Sequence, residues 1–372
     1  MYPQNKASLL TGATERGQLT RVGETIYPSI NDNQILIKAV AYAANPTDWK
    51  HPVFGWGGEG AIAGSDVSGV VEEVGSGAND FKVGDVVSSF IHGNYFKDRG
   101  AFSDYVVLDP ITTIKYPKRI LKNEPLEVGL ESAGLIDTFE GAASVNLGLA
   151  TIGLSFHHNL SIKADKKKNA SQYILLWGGG TTTGILAIQV AKLVYGLRVI
   201  TTASPKHHDF LRSLGADAVF DYHDSDVVDQ IKKVGGANIP YAFDMVSIDT
   251  SFQLIYDATS ETEEVNLDNL GFLNASSIKT ENSRKVRFET TLVNSVTGED
   301  SNYDGLKFYS NPKLVQDFHE FWYDVFPQYI TKIKHPNLIV LKEGLESVNE
   351  ALEILRDNKV SGEKIVFRAS RK

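Results

Sequence analysis

Cysteine is absent from all 372 residues. That absence excludes disulfides, a thiolate nucleophile and any zinc site that needs a thiolate ligand. Basic clusters are scarce as well. The longest run is Lys166-Lys167-Lys168, and 37 basic against 46 acidic residues leave a formal net charge of -9. A nucleic acid or an anionic membrane surface is therefore not an expected partner. No apolar run has membrane-spanning length. The stretch MYPQNKASLLTGATERG lacks the apolar core of a signal peptide. A soluble cytoplasmic protein is the expectation, and a sequon such as Asn159-Leu160-Ser161 is then uninformative.

What is present is an ordinary globular balance, 42% hydrophobic and 22% charged, with 32 glycines and 12 prolines. The chain is longer than one hydrophobic core usually needs, so two domains are expected. The first third reads as β-rich, with strand-like runs at 34–41, 68–74 and 83–90 and another in SDYVVLD. From Leu126 the spacing turns helical and runs through EGAASVNLGLATIGLSF. From Gln172 to about Asp300 strands and helices alternate, the pattern of a parallel sheet with helices on both faces. Its strands are expected at 173–177, 198–203, 218–221 and 241–244, with a late one in RKVRFETTLVNS. A final strand at 364–368 needs a sheet to join, and the β-rich third is the candidate. The expected limits are 1–148 for the first part of a catalytic domain, 149–304 for an inserted nucleotide-binding domain and 305–372 for the second catalytic part.

The stretch YILLWGGGTTTGILAIQVAK, residues 173–192, places a strand, a glycine cluster and a helix in the order a dinucleotide-binding turn requires. A helix start there presents free N–H groups and a positive dipole end to a pyrophosphate. Gly178 and Gly179 permit the tight turn, Gly180 completes the cluster, and Gly184 permits close helix–strand packing. Thr181 stands where glycine is usual, and its hydroxyl, with those of Thr182 and Thr183, is expected to donate to phosphate instead. A Walker-type loop is excluded because Ile185-Leu186 follows the last glycine. A ligand-free turn in an α/β core is the alternative. In NAD-selective folds an acid about twenty residues further on accepts from the ribose 2′-OH. No carboxylate occurs here from Val199 through His208. Ser204, Lys206 and His207 are instead suited to donate to a 2′-phosphate, with Tyr222 able to close over the same place. NADPH is expected over NADH; a polar loop with a solvated lysine is the alternative.

The segments AANPTDWK (43–50), GSDVSGVVEEVGSGANDFKVGDVV (64–87), GAFSDY (100–105), TTASP, GADAVFDYHD and SGEKIVF (361–367) together carry a resemblance. The chain resembles the medium-chain dehydrogenase/reductase superfamily over essentially its full length. Within it the likeness is to the zinc-free quinone oxidoreductase and enoyl reductase branch, including the yeast zinc-type alcohol-dehydrogenase-like reductases and the fungal trans-acting enoyl reductases. The resemblance implies an α/β chain in which a GroES-like β-rich catalytic domain is split around a Rossmann doubly wound parallel sheet. In zinc-dependent relatives a Cys and a His-Glu pair hold catalytic zinc; the corresponding positions here are Asn45, Ser65 and Asp66. No metal is expected.

The resemblance also implies cofactor contacts at Thr47, Asp48, Trp49 and Lys50, and at Thr151 near the nicotinamide. Lys50 is the residue expected to stabilise or protonate an enolate, against the alternative of an ordinary surface lysine. His51 and His92 are weaker candidates for that work. Asp268 and Asn269 follow a strand end on the same edge; Asn294, Val296, Thr297 and Gly298 match a nicotinamide and substrate loop, and Ser361 and Gly362 a closing loop. Without a Lewis acid, a carbonyl conjugated to C=C is an easier substrate than a simple ketone, because the developing enolate needs only hydrogen-bond donors. The expected partner is a small carbonyl or quinone, and monomer and homodimer both stay open. Two further readings stand beside this one: a trans-acting enoyl reductase on a carrier-bound polyketide, and a non-catalytic NADPH-binding sensor. Two Tyr-x-x-x-Lys matches, Tyr303/Lys307 and Tyr309/Lys313, lie outside the nucleotide domain with no helical pattern and are read as chance.

Overall fold

The two apolar periods of the sequence fold into two large sheets, one of eight and one of six strands, beside two small two-stranded ones. The computed structural model describes residues 4–117, 120–303 and 306–370. The chain divides into two compact units, one of Met1–Leu147, Asn294–Asn311 and Lys334–Lys372, the other of Gly148–Val293 and Pro312–Ile333. Residues 294–304 thus group with the β-rich unit and 312–333 with the second, whereas the sequence reading drew one limit at 304/305. The helix Pro312–His319 goes with the second unit because it buries Leu314 and Phe318 there.

The spine of the β-rich unit is the strand Ile35–Ala44, whose Ala, Val and Ile content suits a strand buried on both faces. It pairs antiparallel with Asp66–Val74, with Tyr105–Leu108 and with Glu363–Arg368. The last strand of the chain therefore closes the sheet begun by the first third, in a register running from Ile365 opposite Ala44 to Arg368 opposite Ala41. Tyr42, Val67, Phe102, Val348, Leu352 and Phe367 are among the side chains that fill its core. Two features were not expected. Asn5–Leu10 and Thr20–Thr25 form an antiparallel pair. The segment after Leu126 is not yet helical: Gly129–Glu131 is an exposed edge strand on Asn337–Val340, and helix begins only at Phe139. Gly129, at φ 136, adopts a backbone that breaks a helix.

The second unit holds six parallel strands in the spatial order Ala218–Phe220, Arg198–Thr202, Tyr173–Trp177, Tyr241–Asp244, Glu264–Asn269, Lys285–Thr290. Numbered along the chain this is 3-2-1-4-5-6, the Rossmann order, with its switch point beside the first strand. That first strand, YILLW, is buried at every residue, as a central parallel strand must be. The helix Thr182–Val190 follows it and runs on through a wider-wound turn to Tyr195. Gly196, in the left-handed region at φ 70, ends it.

Candidate active site

In the Rossmann unit the glycine turn sits between the first strand and its helix. Gly178 has φ 94, a conformation other residues resist. Gly179 has no room for a side chain: a Cβ there would lie 2.1 Å from Thr201 Oγ1. Thr181 is the N-cap of the helix, its Oγ1 accepting from the Gly184 N–H at 3.0 Å. The same hydroxyl donates to the Gly178 carbonyl at 2.8 Å, so its proton is already committed. Thr181 thus shapes the turn, its hydroxyl engaged by Gly178 and Gly184. Thr182 and Thr183, partly exposed, occupy the first helical turn, where N–H groups have no intrahelical acceptor.

The loop expected to read the ribose lies next to this turn. A Cβ on Gly180 would meet the His207 ring at 3.2 Å, so the glycine cluster and residues 204–207 face each other. Ser204 Oγ and the Tyr222 hydroxyl are 3.3 Å apart, and Lys206 is exposed. Asp221, beside Tyr222, is held below the usual carboxylate range, chiefly by the His223 amide. The structure brings Gly180, Ser204, His207 and Tyr222 together.

Thr151 is buried on the helix Asn146–Gly153. Asp268 and Asn269 end the fifth strand and are both fully buried. Asp268 Oδ2 accepts from Thr291 Oγ1 at 2.6 Å and from Asn159 Nδ2 at 3.3 Å, and burial pushes its carboxyl up to about 6. The Asn269 side chain bonds the backbone of residues 271, 273 and 289. Their polar atoms organise the strand end rather than face outward.

In the β-rich unit, Thr47, Asp48, Trp49 and Lys50 all lie on the helix Pro46–Val53, which the strand reading of this third did not anticipate. The sequence does carry its signal: Asn45 at the N-cap, proline at the first helical position and an acid three residues on. Asp48 accepts from the Asn45 N–H at 2.7 Å, from Ser65 Oγ at 2.6 Å and from Asn94 Nδ2 at 2.8 Å. It is fully buried, and burial raises its carboxyl to about 6. Oδ2 serves the helix start and Oδ1 takes the Ser65 and Asn94 donors, so both oxygens are engaged within the protein. Trp49 packs on the core, and Lys50 is exposed. Partial desolvation by surrounding protein lowers the Lys50 pKa, and among the described residues no carboxylate pairs with its ammonium.

Next on the same helix is His51, whose Nδ1 lies 2.9 Å from the Thr47 carbonyl. A carbonyl only accepts, so Nδ1 carries the hydrogen and Nε2 is a bare acceptor. Burial drives this imidazole down to about 4, and burial with His51 and Arg99 nearby drives His92 to about 3. Both rings are neutral at pH 7. His92 Nε2 is 2.9 Å from the Tyr303 hydroxyl, which also accepts from Asn294 Nδ2 at 2.9 Å. Trp56, Tyr95 and Phe308 surround that phenol. Tyr303 is thus a member of a polar cluster that sequence reasoning missed; no spacing links residues 92 and 303. It sits in the strand Ser301–Tyr303, so its match with Lys307 has no helical geometry. Val296 is fully buried, and Thr297 Oγ1 donates to the Asn294 carbonyl. The Ser361 N–H donates to Glu363 at 2.6 Å, and Gly362 has φ 92.

Asn45, Ser65 and Asp66 do not fit a zinc ion. They offer one amide, one hydroxyl and one carboxylate, with neither thiolate nor imidazole among them. Asn45 Nδ2 donates to Asp66 Oδ2 at 2.9 Å, the Leu147 N–H donates to Asp66 Oδ1 at 2.9 Å, and the Lys364 ammonium lies 3.1 Å from Asp66 Oδ2. A second cation would meet that ammonium. Among the described residues no group of three or more His, Cys, Asp or Glu is placed to hold a metal, and no helix is long and apolar enough to cross a membrane.

Residues 31–118 match the alcohol dehydrogenase GroES-like domain, and residues 182–310 match the zinc-binding dehydrogenase family. An uncharacterised Saccharomyces cerevisiae protein is 34% identical over 349 residues, covering 91% of this chain and 94% of that protein. The trans-enoyl reductase TOXD of Cochliobolus carbonum is 33% identical over 318 residues, 84% of this chain and 98% of its own. The Escherichia coli quinone oxidoreductase complexed with NADPH superposes at a TM-score of 0.66 and 18% identity, over 98% of this chain and 99% of that one. The last likeness is one of fold. With its two large sheets, its interrupted β-rich unit and these full-length relatives, the chain belongs to the medium-chain dehydrogenase/reductase superfamily, in its zinc-free quinone- and enoyl-reductase-like branch.

Proposed function

We propose that the protein is a zinc-independent, NADPH-dependent oxidoreductase that reduces activated C=C or C=O bonds of small carbonyls: enones, enals, quinones and aldehydes. The observation that carries the reading is the glycine turn beside a donor-rich loop. The first-turn amides of Thr182 and Thr183 would hold the pyrophosphate, and Ser204, Lys206 and His207, with Tyr222, the 2′-phosphate. The close approach of the turn to this loop depends on Gly180, where a Cβ would already crowd the His207 ring at 3.2 Å. When bound, NADPH supplies a hydride to an electrophilic carbon.

The chain's own part is to orient substrate and stabilise charge. Lys50 stands exposed on its helix with no carboxylate partner among the described residues, so its ammonium is available to donate to an oxygen gaining negative charge. A lowered pKa makes that proton easier to give up. Replacing Lys50 by Met is expected to lower kcat about 100-fold or more while NADPH affinity holds. Stopped-flow turnover with a parallel fluorescence titration of NADPH checks this; an unchanged kcat would remove Lys50 from the chemistry. A second reading is trans-acting enoyl reduction of a carrier-bound polyketide, favoured by the 33% identity to a trans-enoyl reductase. It predicts turnover of carrier-linked enoyl thioesters well above that of free enones.

A further inference from the structure

Among the described residues, the cation inside the Asn45–Asp66 cluster is the ammonium of Lys364. Lys364 lies on the strand Glu363–Arg368 with a side chain only 6% exposed. A lysine is rarely buried so deeply unless it is paired. Here Nζ lies 3.1 Å from Asp66 Oδ2 and also donates to Asn45 Oδ1. Asn45 is the N-cap of the helix Pro46–Val53, and its own N–H donates to Asp48. Asp48 in turn is gripped by Ser65 and Asn94. The bonds run without a gap from the last strand, through Lys364 and Asn45, to the first turn of the helix that carries Thr47, Trp49 and Lys50.

This arrangement has a definite logic. Asn45 can offer its amide oxygen to Lys364 and its amide nitrogen to Asp66 only in one orientation, so the ammonium fixes which way the amide faces. Pro46 follows immediately with a fixed φ. An N-cap held on both sides leaves the first helical turn one direction to take. A neutral side chain of the same length would fill the space but hold neither acceptor.

We propose that Lys364 is a positioning residue: its buried ammonium, held by Asp66 and Asn45, fixes the start of the helix that presents Lys50. The Asn45–Asp66 cluster thereby holds an internal cation of purely orienting use. The proposal rests on the reading of Lys50 given above, but its test does not depend on turnover alone. Two variants are compared with the wild-type chain, Lys364→Met and the double variant Asp66→Asn/Lys364→Met. The single change strands a buried carboxylate and lowers the thermal midpoint. The double change removes both charges and is expected to regain most of that loss.

Amide hydrogen exchange is then followed in residues 46–54 and, as an internal reference, in the strand Tyr173–Trp177 of the other unit. The double variant is expected to exchange about tenfold faster in 46–54 and unchanged in the reference strand. Its kcat should fall while the KM for NADPH holds. Wild-type exchange in 46–54 of the double variant would overturn the proposal, whatever its turnover, and leave Lys364 as a mere counter-charge to Asp66. Faster exchange in a protein that reduces no carbonyl at all would uphold the positioning role and defeat the reading of Lys50 instead.

Discussion

At the scale of single residues, the glycine turn is where the sequence was read with most profit. Gly179 is needed not for its φ but for space, because Thr201 Oγ1 already fills the position of a Cβ. Thr201 Oγ1 donates to the Leu176 carbonyl at 2.7 Å and has little freedom to retreat. Gly179→Ala is therefore expected to cost about 1–3 kcal/mol of stability through overpacking and to weaken NADPH binding. Adding Thr201→Ala should return most of the stability, as read by urea unfolding with and without NADPH. A single Gly179→Ala variant as stable as the wild type would contradict the packing argument. Thr181 shows the limit of such reading: the sequence offers a hydroxyl, but only the fold shows that it is spent on Gly178 and Gly184.

Elements were legible where one physical signal governs them. Five strands of the parallel sheet follow from short apolar runs alternating with amphipathic ones and appear where the sequence places them, whereas the sequence reading gives Glu264–Asn269, with its mixed polar content, no range. The helix Pro46–Val53 carries its own start signal, yet it lies in a β-rich stretch and the strand pattern overrode it. The short strand Gly129–Glu131 has no apolar alternation to read, since all three of its residues are exposed.

That same helix sets a pH dependence. His51 on it and His92 nearby fold as neutral imidazoles, with pKa values near 4 and 3 against 6.5 when unfolded. Below about pH 6.5 the unfolded chain takes up protons that the folded chain refuses, so stability falls as the pH falls. Asp48 and Asp268 act oppositely: folded they protonate near 6, unfolded near 3.8, so acidification through that window relieves their buried charge. Replacing both histidines by Phe should remove the first effect, roughly 2 kcal/mol per imidazole between about pH 6.5 and 4.5. Urea midpoints across that range decide it. A double variant that loses as much stability on acidification as the wild type would show that these rings do not govern the slope.

For the molecule as a whole, the fold class was legible because the chain returns to a strand after its last helix, and a strand demands a partner. The exact division was not, since contacts of the segments 294–311 and 312–333 are made with residues far away in sequence. The His92–Tyr303 pair has the same cause, its members being 211 positions apart. The glycine turn was legible because a strand, glycine cluster and helix in succession are local in the chain, whereas clusters such as His92 with Tyr303 are assembled from distant segments.

The central claim is NADPH-dependent reduction of activated carbonyls, and turnover of the purified protein tests it most directly. NADPH oxidation is followed with a panel of quinones, enals, enones and saturated aldehydes, each repeated with NADH. Faster turnover of conjugated substrates, with NADPH favoured at least about tenfold over NADH, is predicted from the loop that lacks an acid. Equal use of the two cofactors, or tight NADPH binding with no oxidation across the panel, would contradict it.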